Sequence, residues 1–433
     1  MFFLAFFTII ILIIVIVSII NERFIKIPNE ISILIFTIIL SLILKGIDSF
    51  ANIGWIDYAI STMKDFNFES YLLDGVLCFM LFAGASGVRF NKFTKNIKNI
   101  TILSFISTAI AAFIYGLIFY LFSLLFKFNV NIWICILLGC IIAPTDPIAA
   151  TGILSKLGMS KNLTTIMESE SLFNDGMGVI LFAFVKSIVT NIGTNIGIVL
   201  LKEILGAIVV AFLICFILIL LLKKSNKPVT HVLISILAVS SSYVICSLFG
   251  FSGCIASVLC GMIFSYYRNK NQNFFYLADS KNIYESFWKL VDNILNSVLF
   301  VLIGMMLFKL DISFNLLFIF ISAIIASLFS RFCGVSIPLS LPKIKNAPGG
   351  YNLVEYSSLM TWTALKGGLS LALVLSTQSI LANNEYTILF SAVYLTIAFT
   401  VIFQGLTTKR VYHYIEKHKA IRIRRDSEEK CVL

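Results

Sequence analysis

Ala143–Phe182, APTDPIAATGILSKLGMSKNLTTIMESESLFNDGMGVILF, holds Asp146, Glu168, Glu170 and Asp175 between long apolar runs. A carboxylate at bilayer depth costs roughly 2.5–3.5 kcal/mol even on a lenient scale, so one retained there serves ion or proton traffic. The stretch reads as two consecutive membrane helices carrying a cation- and proton-binding site. The rest of the chain reads as the frame that holds this site and moves around it.

That frame is apolar. Of 433 residues, 59% are hydrophobic and only 13% charged, which describes a polytopic membrane protein rather than a soluble globule. Apolar runs divided by polar punctuation predict about thirteen transmembrane helices. They lie near residues 2–20, 30–44, 70–87, 99–126, 131–155, 164–190, 195–222, 230–247, 250–267, 283–308, 312–340, 354–378 and 385–408. The second run is short at its polar ends. Pro338, Pro342 and Pro348, followed by Gly349-Gly350, mark the turn before the twelfth. Met1–Ile20 lacks a basic start and a small-residue cleavage site, and is read as a retained first span.

The net charge of +11 is informative through its placement. With the N-terminus outside, the inward loops and tail hold 24 lysines and arginines, including Arg23, Arg89, Lys92, Arg268, Lys343 and Lys345. The outward loops hold four, Lys45, Lys64, Lys127 and Lys309. This asymmetry predicts a multi-pass protein with a cytoplasmic C-terminus. Residues 1–408 form the transmembrane domain, its ion-binding core mainly 70–190 and 283–378, and 409–433 a short basic cytoplasmic tail. The basic tail is a topology signal and a lipid-surface contact rather than a nucleic-acid arm.

Several classes fall away. Nine cysteines and three histidines are scattered without ligand spacing, so neither a metal cluster nor a cofactor is expected. No G-x-x-x-x-G-K motif is present, which leaves an ion gradient as the driving force. No nucleophile–base pair suggests an enzyme.

Depth follows from the helical rise. Asp146 lies about 14 Å above the cytoplasmic end of the fifth span, and Asp175 about 17 Å into the sixth. Both are near the middle of a ~30 Å hydrocarbon core. Pro144 and Pro147 bracket Thr145-Asp146, and each lacks the N–H that would bond the carbonyl four residues earlier, so the fifth helix is broken there. Irregular backbone at that depth is tolerated where it lines a cavity or is buried in protein. Freed carbonyls beside carboxylates and Thr145 make a hard-oxygen site suited to Na⁺ or Li⁺.

On the sixth span, Ser171 and Glu168 share a stripe with Asp175. Ser171 offers a hydroxyl ligand, and Glu168 marks either an entry funnel or a wet helix end. Glu170 points elsewhere, and Arg331, at comparable depth in the eleventh span, is its expected partner, because a lone buried charge is very costly. A second break falls at Gly367-Gly368 in TWTALKGGLSLAL, beside Lys366. Spans five and twelve then cross in opposite directions, as inverted repeats with discontinuous helices require. Lys366 is placed to neutralise a half-helix C-terminus or the carboxylates.

These residues resemble the monovalent cation:proton antiporter family, which includes bacterial sodium/proton antiporters and animal sodium/hydrogen exchangers. APTDP at 143–147, ESLFND at 170–175, FWKLVDNILNSVLFVLIG at 287–304, Arg331 and LKGGLSLAL at 365–373 carry the likeness across nearly the whole chain. It implies that Asp175 is shared by cation and proton, with Asn174 beside it. It also implies Na⁺ ligation by Asp175, Ser171 and Thr145, a positioning role for Asp146, a structural Glu170–Arg331 pair, and a homodimer with separate core and interface bundles. Two departures stand out. Many members carry an acidic residue in the third span where this chain has Ala83, and Lys366 replaces a usual arginine, keeping charge but losing the forked geometry.

The expectation is therefore a plasma-membrane antiporter exchanging Na⁺ or Li⁺ for H⁺, electroneutrally and one for one. A K⁺/H⁺ antiporter of the same build is the alternative. A cation channel or non-transporting sensor is the rival from a different class.

Overall fold

The structure, a computed structural model, describes residues 2–51, 67–146, 148–190, 196–225, 227–270, 278–310, 315–340 and 348–432. Lys64, Pro147, Pro342, Lys343 and Lys345 lie outside these. The described chain is helical without strands. Among the described residues, ten helices are long and apolar enough to cross a membrane. Numbered by span, they are α1 (Phe2–Ile20), α2 (Asn29–Ala51), α3 (Phe68–Gly87), α4 (Phe90–Leu125), α6 (Lys161–Val189), α7 (Ile196–Leu222), α8 (Pro228–Phe249), α10 (Ala278–Met305), α11 (Asn315–Leu339) and α13 (Asn383–Val432). With α9 (Gly253–Lys270) and two broken helices, they make thirteen spans among the described residues. The first broken helix comprises α5a (Ile132–Ile142) and α5b (Ile148–Lys156), and the second α12a (Leu353–Trp362) and α12b (Gly368–Leu375).

Local sequence explains where these helices begin and end. Asn131 accepts from the Trp133 N–H at 3.0 Å and starts α5a, and Ser160 accepts from Leu163 at 3.3 Å and starts α6. Asn352 and Glu355 close a reciprocal capping box on α12a. Pro228 opens α8 at its first turn, where no intrahelical N–H is needed, and Gly250, at φ 68°, ends it.

Three boundaries differ from the apolar runs. The second helix extends to Ala51, because the Lys45 ammonium reaches the Leu310 carbonyl at 2.9 Å and its charge is accommodated. The fourth starts at Phe90, with an amphipathic first segment that buries Phe93 and Ile100 and exposes Lys95 and Lys98. The basic tail is no loose extension either: α13 runs on helically to Val432. Arg422 in that extension bonds Gly350 O at 2.8 Å and Glu355 at 3.0 Å, Lys419 stacks over Tyr351, and Tyr351 donates to Glu416.

Lipid supplies no hydrophobic drive between helices, so close packing of small residues does that work. At the α4–α5a contact a Cβ on Gly139 would overlap the Ala112 carbonyl oxygen, and one on Gly116 would stand 2.6 Å from the Ile136 Cα. Many large apolar side chains are left exposed, Leu201, Leu205, Phe212 and Phe216 along α7 among them. That is the surface of a multi-pass membrane protein.

Candidate functional site

The two breaks meet. Ala143–Asp146 and Thr363–Gly367 are both non-helical, and the Asp146 N–H donates to the Leu365 carbonyl at 2.8 Å. Lys366, only 3% exposed, donates its Nζ to the Pro144 carbonyl at 3.3 Å, just beyond the C-terminal end of α5a. A cation there offsets the partial negative charge of the half-helix end. Its own backbone N–H is held by Thr400 Oγ1 at 3.1 Å. Asp146 lies against the opposite half-helix: a Cβ on Gly367, the residue before α12b, would be 3.3 Å from Asp146 Oδ2. The positive N-terminal end of α12b therefore faces this carboxylate.

Helix α6 is tied to the first break through Ser171 and Asn174. The Ser171 hydroxyl donates to the Thr145 carbonyl. Asn174 Nδ2 donates to Thr145 Oγ1 at 2.8 Å and to Glu170 Oε1 at 3.0 Å, while Asn174 Oδ1 accepts from the Thr145 N–H at 3.3 Å. Glu170 in turn takes Arg331 Nη2 on both oxygens, at 2.9 and 3.0 Å. Both members of this pair are buried, and among the described residues the Arg331 Nε and Nη1 find no acceptor.

A cavity of about 930 Å³ opens onto this network. Thr145, Asp146, Ser171 and Asp175 line its inner part, and Glu168, Arg89, Lys92 and Arg268 line the part nearer the basic loops. Arg268 is held there by the Ser86 carbonyl at 2.8 Å and by Glu285 at 3.6 Å. Asp175 is half-buried and presents its carboxylate side of α6 to the cavity. Thus residues with carboxylate and hydroxyl groups line one cavity beside the first break, a donor set fit for a small hard cation.

Of the residues singled out from the sequence, the structure brings Asp175, Ser171, Thr145, Asp146 and Glu168 to the cavity wall. Asn174 is not on that wall, since its amide is engaged between Thr145 and Glu170. Lys366 sits behind the break. Sequence reading assigned nothing to Asp292 and Asn296 on α10, which also line the cavity. The signal was a carboxylate four residues before an asparagine inside an apolar span.

Residues 3–413 match the profile of the transmembrane sodium/hydrogen exchanger family. Over 406 residues the chain is 27% identical to the Na(+)/H(+) antiporter NhaP of Pseudomonas aeruginosa, spanning 91% of this chain and 93% of that one. It is also 27% identical over 342 residues to the Na(+)/H(+) antiporter ApNhaP of Aphanothece halophytica, 77% of this chain and 62% of that one. In three dimensions it matches the sodium proton antiporter MjNhaP1 of Methanocaldococcus jannaschii with a TM-score of 0.73 at 20% identity, over 95% and 98% of the two chains. That likeness bears on the fold, with its crossed, broken helices in inverted repeats. A profile matched along almost the entire chain, on this fold, makes the protein a member of the sodium/hydrogen exchanger family.

Proposed function

We propose that the protein exchanges Na⁺, and Li⁺ as well, for H⁺, one for one and without net charge movement, by competition at Asp175. The observation that carries this reading is the carboxylate of Asp175 on α6, which lines the cavity at the crossed breaks together with Ser171, Thr145 and Asp146. One carboxyl group holds a proton or a cation, not both, so moving it between the two sides of the membrane couples the two fluxes. Ser171 and Thr145 complete the cation's shell. Asp146, set against α12b, positions the break, and Lys366 offsets its charge.

The basic end of the cavity is taken as cytoplasmic, following the lysine and arginine asymmetry, with the N-terminus outside and the protein in the plasma membrane. Glu168 then stands at the cytoplasmic entry. The Glu170–Arg331 pair serves structure rather than the transport path, and the assembly is a homodimer, as the family resemblance implies.

The test is dequenching of a pH-sensitive dye in everted vesicles on adding Na⁺, Li⁺ or K⁺, with Asp175→Asn as the control. Na⁺ and Li⁺ should move protons, and Asp175→Asn, inserted at normal levels, should not. A response to K⁺ alone would replace the cation assignment. Full activity of Asp175→Asn would overturn the mechanism.

A further inference from the structure

Leu365 and Lys366 share one peptide unit at the second break, and both of its polar groups bond to other elements. The Leu365 carbonyl accepts from the Asp146 N–H at 2.8 Å, and the Lys366 N–H donates to Thr400 Oγ1 on α13 at 3.1 Å. A trans peptide is planar and aims its C=O and N–H in opposite directions, so gripping one end fixes the other. One rigid plane therefore spans from the first break to α13.

The grip at Thr400 is specific. Ala364 and Leu365 donate to the Thr361 and Thr363 carbonyls within their own segment, at 3.4 and 3.0 Å. Lys366 instead takes an acceptor 34 residues further along the chain. Thr400 is 2% exposed, and its hydroxyl donates to the Ile397 carbonyl at 3.1 Å. A carbonyl takes only a donor, so the hydroxyl proton is committed there and a lone pair is left for Lys366. Thr400 also lies in a π-helical turn of α13, Phe399–Gln404. Such turns inside an α-helix are frequent at functional sites.

From Asp146 the path to the cation site is short. Its neighbour Thr145 gives its carbonyl to Ser171 and its hydroxyl oxygen to Asn174, and Thr145, Asp146 and Ser171 line the cavity. Thr400 is not on that wall and acts on it from behind.

We propose that Thr400 is a positioning residue for cation exchange. It holds the Leu365–Lys366 peptide plane, and through that plane the Thr145–Asp146 segment, in the geometry that receives the cation. The effect on exchange rests on the antiporter reading above; the coupling of α13 to both breaks does not.

The experiment pairs two readouts on the full-length protein. The first is deuterium uptake by detergent-purified protein, followed in peptides covering Ala143–Asp146 and Thr363–Gly367, which needs no transport. Thr400→Val keeps the branched shape and loses the hydroxyl. It should speed uptake about fivefold in both segments, as the loss of one hydrogen bond would. The second is the half-saturating Na⁺ for dye dequenching in everted vesicles, which should rise about fivefold and by more than the maximum rate falls. Thr400→Ser should bring both readouts back towards the parent. Thr408→Val, which removes a buried hydroxyl that donates to Gln404 O on the same helix at 2.7 Å, should move neither. If Thr400→Val fails to insert, Thr400→Cys replaces it, because sulfur is a weak acceptor. An unchanged half-saturating Na⁺ in the hydroxyl-free variant, or faster uptake at Thr363–Gly367 with none at Ala143–Asp146, overturns the positioning role while leaving Na⁺/H⁺ exchange intact. Faster uptake at both breaks, in a protein whose parent moves no protons on adding Na⁺, overturns the antiporter reading and supports the coupling.

Discussion

The backbone N–H of Asp146 donates to the Leu365 carbonyl at 2.8 Å, a main-chain hydrogen bond that joins two helix breaks more than two hundred residues apart. Main-chain groups freed by broken helices at bilayer depth must find partners, because lipid offers none. Here each break supplies the other. The Lys366 ammonium on the Pro144 carbonyl and the Ser171 hydroxyl on the Thr145 carbonyl complete the arrangement. The crossing is thereby a unit, and displacing one break displaces the other.

Gly178 shows how tightly that unit is seated. A Cβ there would overlap the Pro144 ring, which cannot rotate out of the way. Gly178→Ala should therefore push the first break off α6 and destabilise the protein by about 1–3 kcal/mol, the usual range for overpacking. Detergent melting checks this directly. Transport should fall in the same variant, and a parental melting temperature would show that Pro144 and α6 are not in contact.

The Glu170–Arg331 pair should behave as a coupled unit. Removing one partner of a buried pair typically costs ~3–5 kcal/mol, because the other charge is left uncompensated. Either alanine variant should express poorly or melt early, and the double variant should recover part of the loss. Strictly additive losses would mean the pair contributes nothing as a pair. Asn174 adds a refinement: its amide bonds Glu170 Oε1, so Asn174→Ala should weaken the same network less severely.

Ser171→Ala removes one hydroxyl and its bond to the Thr145 carbonyl. A hydrogen bond of this kind contributes about 0.5–1.5 kcal/mol, which corresponds to a rise of up to about tenfold in half-saturating Na⁺. The maximum rate should remain measurable. Unaltered Na⁺ dependence would exclude Ser171 from the cation's shell.

Stoichiometry is the most discriminating prediction. Of the adjacent Asn174 and Asp175, only the aspartate titrates, and one Na⁺ exchanged for one H⁺ at one carboxylate moves no charge. The membrane potential, about 2.3 kcal/mol per charge per 100 mV, should then neither drive nor bias the cycle. In proteoliposomes at equal pH with a potassium–valinomycin potential, no Na⁺ accumulation should appear, whereas a pH gradient should produce it. Accumulation set by the potential would reveal a second titrating group, Asp146 or Asp292 first among them.

Hydropathy, proline chemistry and helical rise are one-dimensional properties, and they were enough to reveal the spans and the two breaks. They also paired Glu170 with Arg331 as an expectation, because depth is legible along a chain. What depth leaves open is rotation about each helix axis and the partner each face meets, which depend on contacts between distant segments. Tertiary structure alone turned Asn174 away from the cavity and onto Thr145 and Glu170, although the spacing of Glu170 and Asn174, one turn apart, hinted that they share a face. It also gave the Thr145 carbonyl to Ser171, carried α13 onto the start of α12a through Arg422, and aimed Asp292 and Asn296 at the cavity of Asp175. A buried polar atom takes whatever partner the fold brings within about 3 Å, and that distance is set by packing across hundreds of residues rather than by the local sequence.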